Sequence, residues 1–180
     1  MSYGKIIRNL EIEGKPAPYP VVNERGVRAT AGIMFAIGIS TFFTVMFTRE
    51  YIFLNIVVIT FWLDFFLKTV FQPHWSFFNI IGDFLVRKQK PEYVGAVQKR
   101  FAWGMGLGLA TFMILGPVLF QIRGLMPLSI CLACLFLIWM ESALGVCVGC
   151  KIYKFLLDKK ILKEPTHRPV CPGGVCSIKR

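Results

Sequence analysis

The chain has 180 residues, 55% of them hydrophobic and 14% aromatic, with only 17% charged. That is too apolar for an ordinary soluble domain, whose apolar share is roughly 45–50%. The net charge of +11 sits on flanks between apolar stretches, where it reads as a topology signal and as contact with anionic lipid. No nucleic-acid partner is expected from it.

Residues 1–28 are polar, proline-containing and charged, and they lack an apolar stretch behind a basic start. The first span is therefore expected to act as its own insertion signal, with 1–28 as a cytoplasmic segment. Four segments then approach the ~20 residues that cross a hydrocarbon core. They are "ATAGIMFAIGISTFFTVMF" (29–47), "YIFLNIVVITFWLDFFLKTVF" (51–71), "FAWGMGLGLATFMILGPVLFQI" (101–122) and "LMPLSICLACLFLIWMESALGVCVGC" (125–150). The expected fold is all-α, a bundle of four transmembrane helices forming one membrane domain over 29–157. A basic, cysteine-containing tail follows over 158–180.

Basic residues set the orientation. Five precede the first span, five lie between spans two and three, and eight follow Cys150, whereas the other two connections hold only Arg49 and Arg123. By the positive-inside rule both termini are expected to face the cytoplasm, with the chain integral to the cytoplasmic membrane. Within the inner connection, Phe77, Ile80, Ile81, Phe84 and Leu85 share a helical face, while Asn79, Asp83 and Arg87 lie elsewhere. That pattern predicts an amphipathic helix lying in the interface, with Trp75 as a headgroup-level anchor and His74 as an interfacial residue beside it. In span three, Gly104 and Gly108 have the spacing that lets a neighbouring helix approach closely.

Charged residues inside spans are costly and informative. Asp64 and Lys68 stand at i,i+4 in span two and are expected to neutralise each other. Glu141 has no partner in its own span, so Asp64, Lys68 and Glu141 are expected in one buried polar cluster. Such a cluster serves either as a satisfied ion pair beside a protonated or snorkelling glutamate, or as a proton-handling site.

The six cysteines fall into three pairs: Cys131 with Cys134, Cys147 with Cys150, and Cys171 with Cys176. The first lies among Leu, Ile and Ala near the outer end, where free cysteine behaves as a small hydrophobe. Cys131 and Cys147 stand roughly 24 Å apart along one continuous helix, too far for direct exchange. The pair in "CVGC" sits where span four meets the cytoplasm, with Lys151 and Lys154 each at i+4 from a thiol. Those ammonium groups favour thiolate. A helix C-terminus opposes it. In an unbroken helix Glu141 lies on the far side from both thiols, and it reaches them only if Gly145 or Gly149 breaks the helix. Twenty residues separate Cys150 from Cys171, enough for the tail to fold back onto the inner surface. In a reducing cytosol, transient redox exchange or metal binding explains two such pairs better than lasting disulfides.

The stretches "ESALGVCVGCKIY", "QKRFAWGMG" and "VVNERGVRATAG" resemble the bacterial integral-membrane family called domain of unknown function 4395, over roughly residues 20–155. The resemblance implies a four-helix membrane fold with Cys147 and Cys150 as its signature. It also implies company with thioredoxin-like proteins or sulfurtransferases, while the tail pair lies beyond the shared region. The leading expectation is a membrane thiol-redox or sulfur-handling protein. In it Cys147 and Cys150 cycle between dithiol and disulfide or persulfide, and Cys171 and Cys176 relay to a soluble partner. The alternative is a cytoplasmic-face zinc or iron–sulfur site held by Cys147, Cys150, Cys171 and Cys176, with His167 as a spare nitrogen. A third reading, a small transporter using Asp64 and Glu141, lacks the repeat symmetry that class shows.

Overall fold

A computed structural model describes residues 6–7, 11–12, 15–16 and 20–162. Two short strands, β1 (Glu11–Ile12) and β2 (Lys15–Pro16), pair antiparallel ahead of the bundle. A third, β3 (Val21–Asn23), leads directly into helix α1 (Glu24–Thr48), whose N-cap Asn23 accepts a hydrogen bond from the Arg25 amide. Helix α2 (Ile52–Val70), a short 3₁₀ turn over Pro73–Trp75 and helix α3 (Phe77–Val86) follow. Strand β4 (Tyr93–Gly95) opens α4 (Ala96–Met113), which widens into a π turn over Ile114–Leu119. Pro117 lies in that turn, and a proline has no amide to offer the regular helical ladder. The chain ends in α5 (Leu125–Leu144) and α6 (Val148–Asp158).

Four segments, Glu24–Thr48, Ile52–Val70, Ala96–Leu119 and Leu125–Leu144, are long and apolar enough to cross a membrane. The expected all-α four-helix bundle of an integral membrane protein is what the chain forms. Its surface is that of a protein dissolved in lipid: Phe43, Phe47, Phe53, Ile56, Leu63, Leu132 and Phe136 are exposed, while Asp64, Lys68, Glu24, Lys99 and Gln98 are buried. An apolar solvent imposes that inversion, because unpaired charge and unsatisfied backbone are costly there.

Helix α3 follows the same logic. Phe77, Ile80, Phe84 and Leu85 face outward, and the buried face carries Phe78, Asn79, Gly82 and Asp83. This polar side lies on the first turns of α1, where two glycines permit close approach. A Cβ at Gly82 would stand 2.8 Å from the Gly26 carbonyl oxygen, and one at Gly26 would collide with Asp83. The N-cap Ser76 of α3 also donates to Asp64 Oδ1, tying α3 to α2.

Strands β3 and β4 pair antiparallel, Val22 opposite Val94. Each runs straight into a spanning helix, so this small sheet clamps the N-termini of α1 and α4 side by side. Val22, Val27, Val94 and Trp103 fill the core beneath it. At the other end of the bundle Val45, Tyr51, Leu54, Val58, Met113 and Leu128 pack together. The Tyr51 hydroxyl there accepts from the Gly124 amide at 2.9 Å, pinning the turn before α5.

The glycine spacing in α4 works differently from the expectation. Nothing approaches Gly108, and Gly104 has only Thr69 at 3.8 Å. The close contact is at Gly106, where a Cβ would stand 2.8 Å from the Phe65 ring of α2. The helix turns that face toward α2 because Lys99 and Trp103 must point inward.

Candidate thiol site

Helix α5 stops at Gly145, whose φ of 66° lies in the left-handed region that glycine enters without a Cβ penalty. The carbonyls freed at its end are covered by Arg28 from α1. Its Nη2 donates to Ser142 O at 3.2 Å and to Ala143 O at 3.3 Å. After Val146 the chain re-enters helix with Cys147 as the N-cap of α6, in extended conformation (φ −84°, ψ 104°). The expectation of one continuous span through Cys150 is therefore corrected. The thiols stand at the start of a new helix, and the end effect reverses sign: unpaired amides and the helix dipole there favour thiolate.

Cys150 lies one turn into α6, and both thiols are buried, Cys147 at 4% exposure and Cys150 at 1%. The Cys150 thiol donates to Cys147 sulfur. That hydrogen bond is the largest influence on Cys147 and pulls its pKa below the ordinary thiol value, outweighing burial and the Glu141 carboxylate, while the Lys99 ammonium helps. Cys150 is pushed far up by the same hydrogen bond, then by burial. The pair is thus asymmetric: its surroundings favour ionisation at Cys147 and retention of the proton at Cys150.

The cation in this site is Lys99, not Lys151 or Lys154, both of which are exposed on the outer face of α6. Lys99 Nζ lies 3.0 Å from Glu24 Oε1 and 2.8 Å from Glu141 Oε1. The Lys99 and Glu24 side chains are 1% and 5% exposed, and Glu141 is 20% exposed. The β3–β4 clamp explains the meeting of Glu24 with Lys99, since each sits just inside the helix its strand opens. The break at Gly145 brings Glu141 to the same point as Cys147. Two carboxylates thus share one ammonium, and Lys99 is the cation that joins them beside Cys147.

Asp64 and Lys68 do form the expected i,i+4 ion pair, buried at 3% and 2%. Ser76 Oγ donates to Asp64, and Lys68 Nζ approaches Met34 sulfur at 4.0 Å and lies 5.5 Å from the Phe65 ring centroid. Glu141 does not join them. The single polar cluster anticipated from sequence is two clusters, one knitting α2 to α3 and one joining α1, α4 and α5. Glu24 and Lys99 went unmarked in the sequence because each lies among basic and polar flanking residues. The available signal was spacing: Ala96, Lys99 and Trp103 fall at i, i+3 and i+7 on one buried face.

Gly149, between the thiols, presses on α4. A Cβ there would stand 2.6 Å from Ala102 Cβ, so only glycine lets the start of α6 seat against α4. The rings of Phe101 and Tyr153, 5.3 Å apart, continue that contact. Above it lies a cavity of about 150 Å³ between α4 and α5, which touch each other little, with α1 and α2 behind. Glu141, Cys147, Val148 and Gly149 line one end, and Leu54, Met113 and Cys131 the other. Cys134 lines it too, so Cys131, Cys134 and Cys147 border one space.

Cys171, Cys176 and His167 lie outside the described residues. Among the described residues no group of three or more His, Cys, Asp and Glu side chains is placed to hold a metal ion. No curated protein and no solved structure matches the chain. Residues 22–158, from β3 through the last residue of α6, match the family described as Domain of unknown function (DUF4395), and the chain belongs to that family.

Proposed function

We propose that Cys147 and Cys150 are a two-electron dithiol–disulfide centre of a membrane thiol-redox protein. The observation that carries this reading is the placement of Cys147 at the N-terminus of α6 with the Cys150 thiol donating to it. Oxidation forms one S–S bond and passes two electrons to an acceptor, and counted from the two thiols it releases two protons, one when Cys147 ionises and one from Cys150. Cys147 begins as nucleophile. Lys99 steadies its charge, and Glu141, beside both, receives the proton that Cys150 must lose.

The thiol end is proposed to face the cytoplasm of a bacterial cell, with both termini on that side. The support is the crowding of Lys and Arg at this end, against Arg49 and Arg123 at the other. A thioredoxin-like or sulfurtransferase partner is proposed for the exposed surface around Lys151 and Lys154, not for direct docking on the buried sulfurs.

The test is a redox titration of purified protein in glutathione buffers, with free thiols counted by mass spectrometry after alkylation. A disulfide between Cys147 and Cys150 that forms and reopens over a defined potential range supports the centre, and its loss in Cys147→Ser and Cys150→Ser assigns it. Thiols that stay reduced across the range, with diamide and with a membrane-soluble oxidant alike, would sink the reading. A mass gain of one sulfur on Cys147 would turn it toward sulfur transfer.

A further inference from the structure

We infer that the cavity between α4 and α5 is the binding site of a lipid-soluble quinone, which takes the two electrons of the Cys147–Cys150 dithiol; this rests on the redox reading above. The route to the sulfur carries the argument. Both thiols are closed to water at 4% and 1% exposure, yet Cys147 lines the cavity together with Val148 and Gly149. The reactant that meets Cys147 therefore arrives from the membrane side.

The walls define its chemistry. From Glu141 to Cys131 the cavity follows ten residues of α5, about 15 Å at 1.5 Å per residue. Its lining side chains are apolar or aromatic apart from Thr41, Glu141 and the cysteine thiols. Leu109, which lines it, is also exposed at the lipid-facing surface, and Leu137 and Ile138 are partly so. The seam between α4 and α5 is thus the entrance for a molecule already dissolved in the bilayer. Phe61, Phe65 and Trp103 add aromatic surface to the lining, suited to an aromatic ring. At the thiol end Glu141, held by Lys99, is a polar group placed to exchange protons with a carbonyl oxygen. The occupant is then a flat, proton-accepting head on an apolar body.

The electron count fits the same molecule. Cys147 thiolate adds to the quinone ring, and Cys150, losing its proton to Glu141, attacks the Cys147 sulfur. The S–S bond forms as the carbon–sulfur bond breaks, its electron pair leaves on the ring, and two protons complete the quinol. Counted from the two thiols, the proton that Cys147 released on ionising and the proton that Cys150 loses through Glu141 become the two O–H bonds of the quinol, and no further oxidant is required.

The experiment uses the full chain in lipid nanodiscs, reduced, freed of reductant and mixed anaerobically with decylubiquinone. Quinol absorbance and the Cys147–Cys150 disulfide are followed together, with diamide as a parallel water-soluble oxidant. Stoichiometric quinol with the disulfide is expected. Ala110→Phe on α4 and Leu137→Phe on α5, which fill the cavity from opposite walls, are expected to slow the quinone reaction by roughly tenfold to a hundredfold, the scale on which an apolar pocket rejects misfit. Melting temperatures check that each variant is folded. Disulfide formation with diamide but not with saturating decylubiquinone overturns the quinone site and leaves the dithiol centre standing. Failure with both removes the redox reading itself. Unchanged quinone rates in both folded cavity variants place the reaction elsewhere and also overturn the site.

Discussion

Lys99 Nζ lies 2.8 Å from Glu141 Oε1, joining α4 to the last turn of α5 beside Cys147. The contact crosses 42 residues of sequence and, with Glu24, concentrates three ionisable groups beside the thiol whose ionisation the fold favours. Charge at this depth is tolerated because each member is paired.

Replacing Lys99 by methionine leaves Glu24 and Glu141 facing each other without a cation. Breaking a buried pair in this way costs about 3–5 kcal/mol, so the thermal midpoint in detergent should fall markedly. The alkylation profile of Cys147 should move to higher pH as well, since the ammonium that favours its thiolate is gone. A variant as stable as the parent, with an unmoved profile, would remove Lys99 from the site.

The asymmetry of the pair can be read from Cys150. Cys150→Ala deletes the thiol hydrogen bond that does most to lower Cys147, whereas Cys150→Ser keeps a donor. Iodoacetamide rates at Cys147 against pH should therefore show a higher midpoint in the alanine variant than in the serine one. Coincident midpoints would mean the hydrogen bond does not set the nucleophile.

The same depression has a stability sign. Cys147 titrates lower in the folded chain than in the unfolded one, so its ionisation contributes stability that is fully present above the ordinary thiol range. That contribution is lost as pH falls through the lowered folded-state value. Cys150, shifted upward, acts in the opposite sense, with its contribution present below the ordinary range and lost at higher pH. In Cys150→Ser, where only the first effect remains, chemical denaturation should show stability rising with pH across the Cys147 titration. A flat or falling profile would contradict the assignment.

Gly145 and Gly149 are expected to fail for different reasons. Gly145→Ala forces a side chain into the left-handed region against the Arg28 guanidinium, which a Cβ would approach at 3.1 Å, at a cost of about 1–2 kcal/mol. Gly149→Val pushes α6 off Ala102, so its larger effect should be on the thiols. Maleimide labelling of Cys150, slow in the parent, should accelerate. Labelling that stays slow in a folded Gly149→Val protein would show that α6 seats without the glycine.

Asp64 and Lys68 offer a control remote from the thiol chemistry. Asp64→Ala strands a buried ammonium and should cost about 3–5 kcal/mol, whereas the double change Asp64→Leu with Lys68→Met removes both charges and should cost less. The comparison is made by melting in one detergent. A double variant less stable than the single one would show that the pair contributes net stability beyond mutual neutralisation.

Local patterns in the chain were enough for much of this. Apolar runs of spanning length identify the four crossing helices, because backbone in hydrocarbon must bond within its own helix. Asp64 and Lys68, four residues apart on one helix, find each other by helical geometry alone. The α3 stripe was equally legible, although which side packs on protein follows only from its contact with Gly26 and Thr30 of α1.

What tertiary structure decided is the site. In one unbroken helix Cys147 stands at a C-terminus with Glu141 behind it, and Lys151 and Lys154 are its cations. Gly145, turned left-handed and covered by Arg28 of α1, ends that helix and starts another, so the dipole at the thiols changes sign and Glu141 comes to their side. Pairing of Val21–Asn23 with Tyr93–Gly95 then delivers Glu24 and Lys99, and the seam between α4 and α5 opens the cavity. Spans follow from the solvent, which acts on every residue alone; the thiol site follows from contacts between distant segments, which no local pattern records.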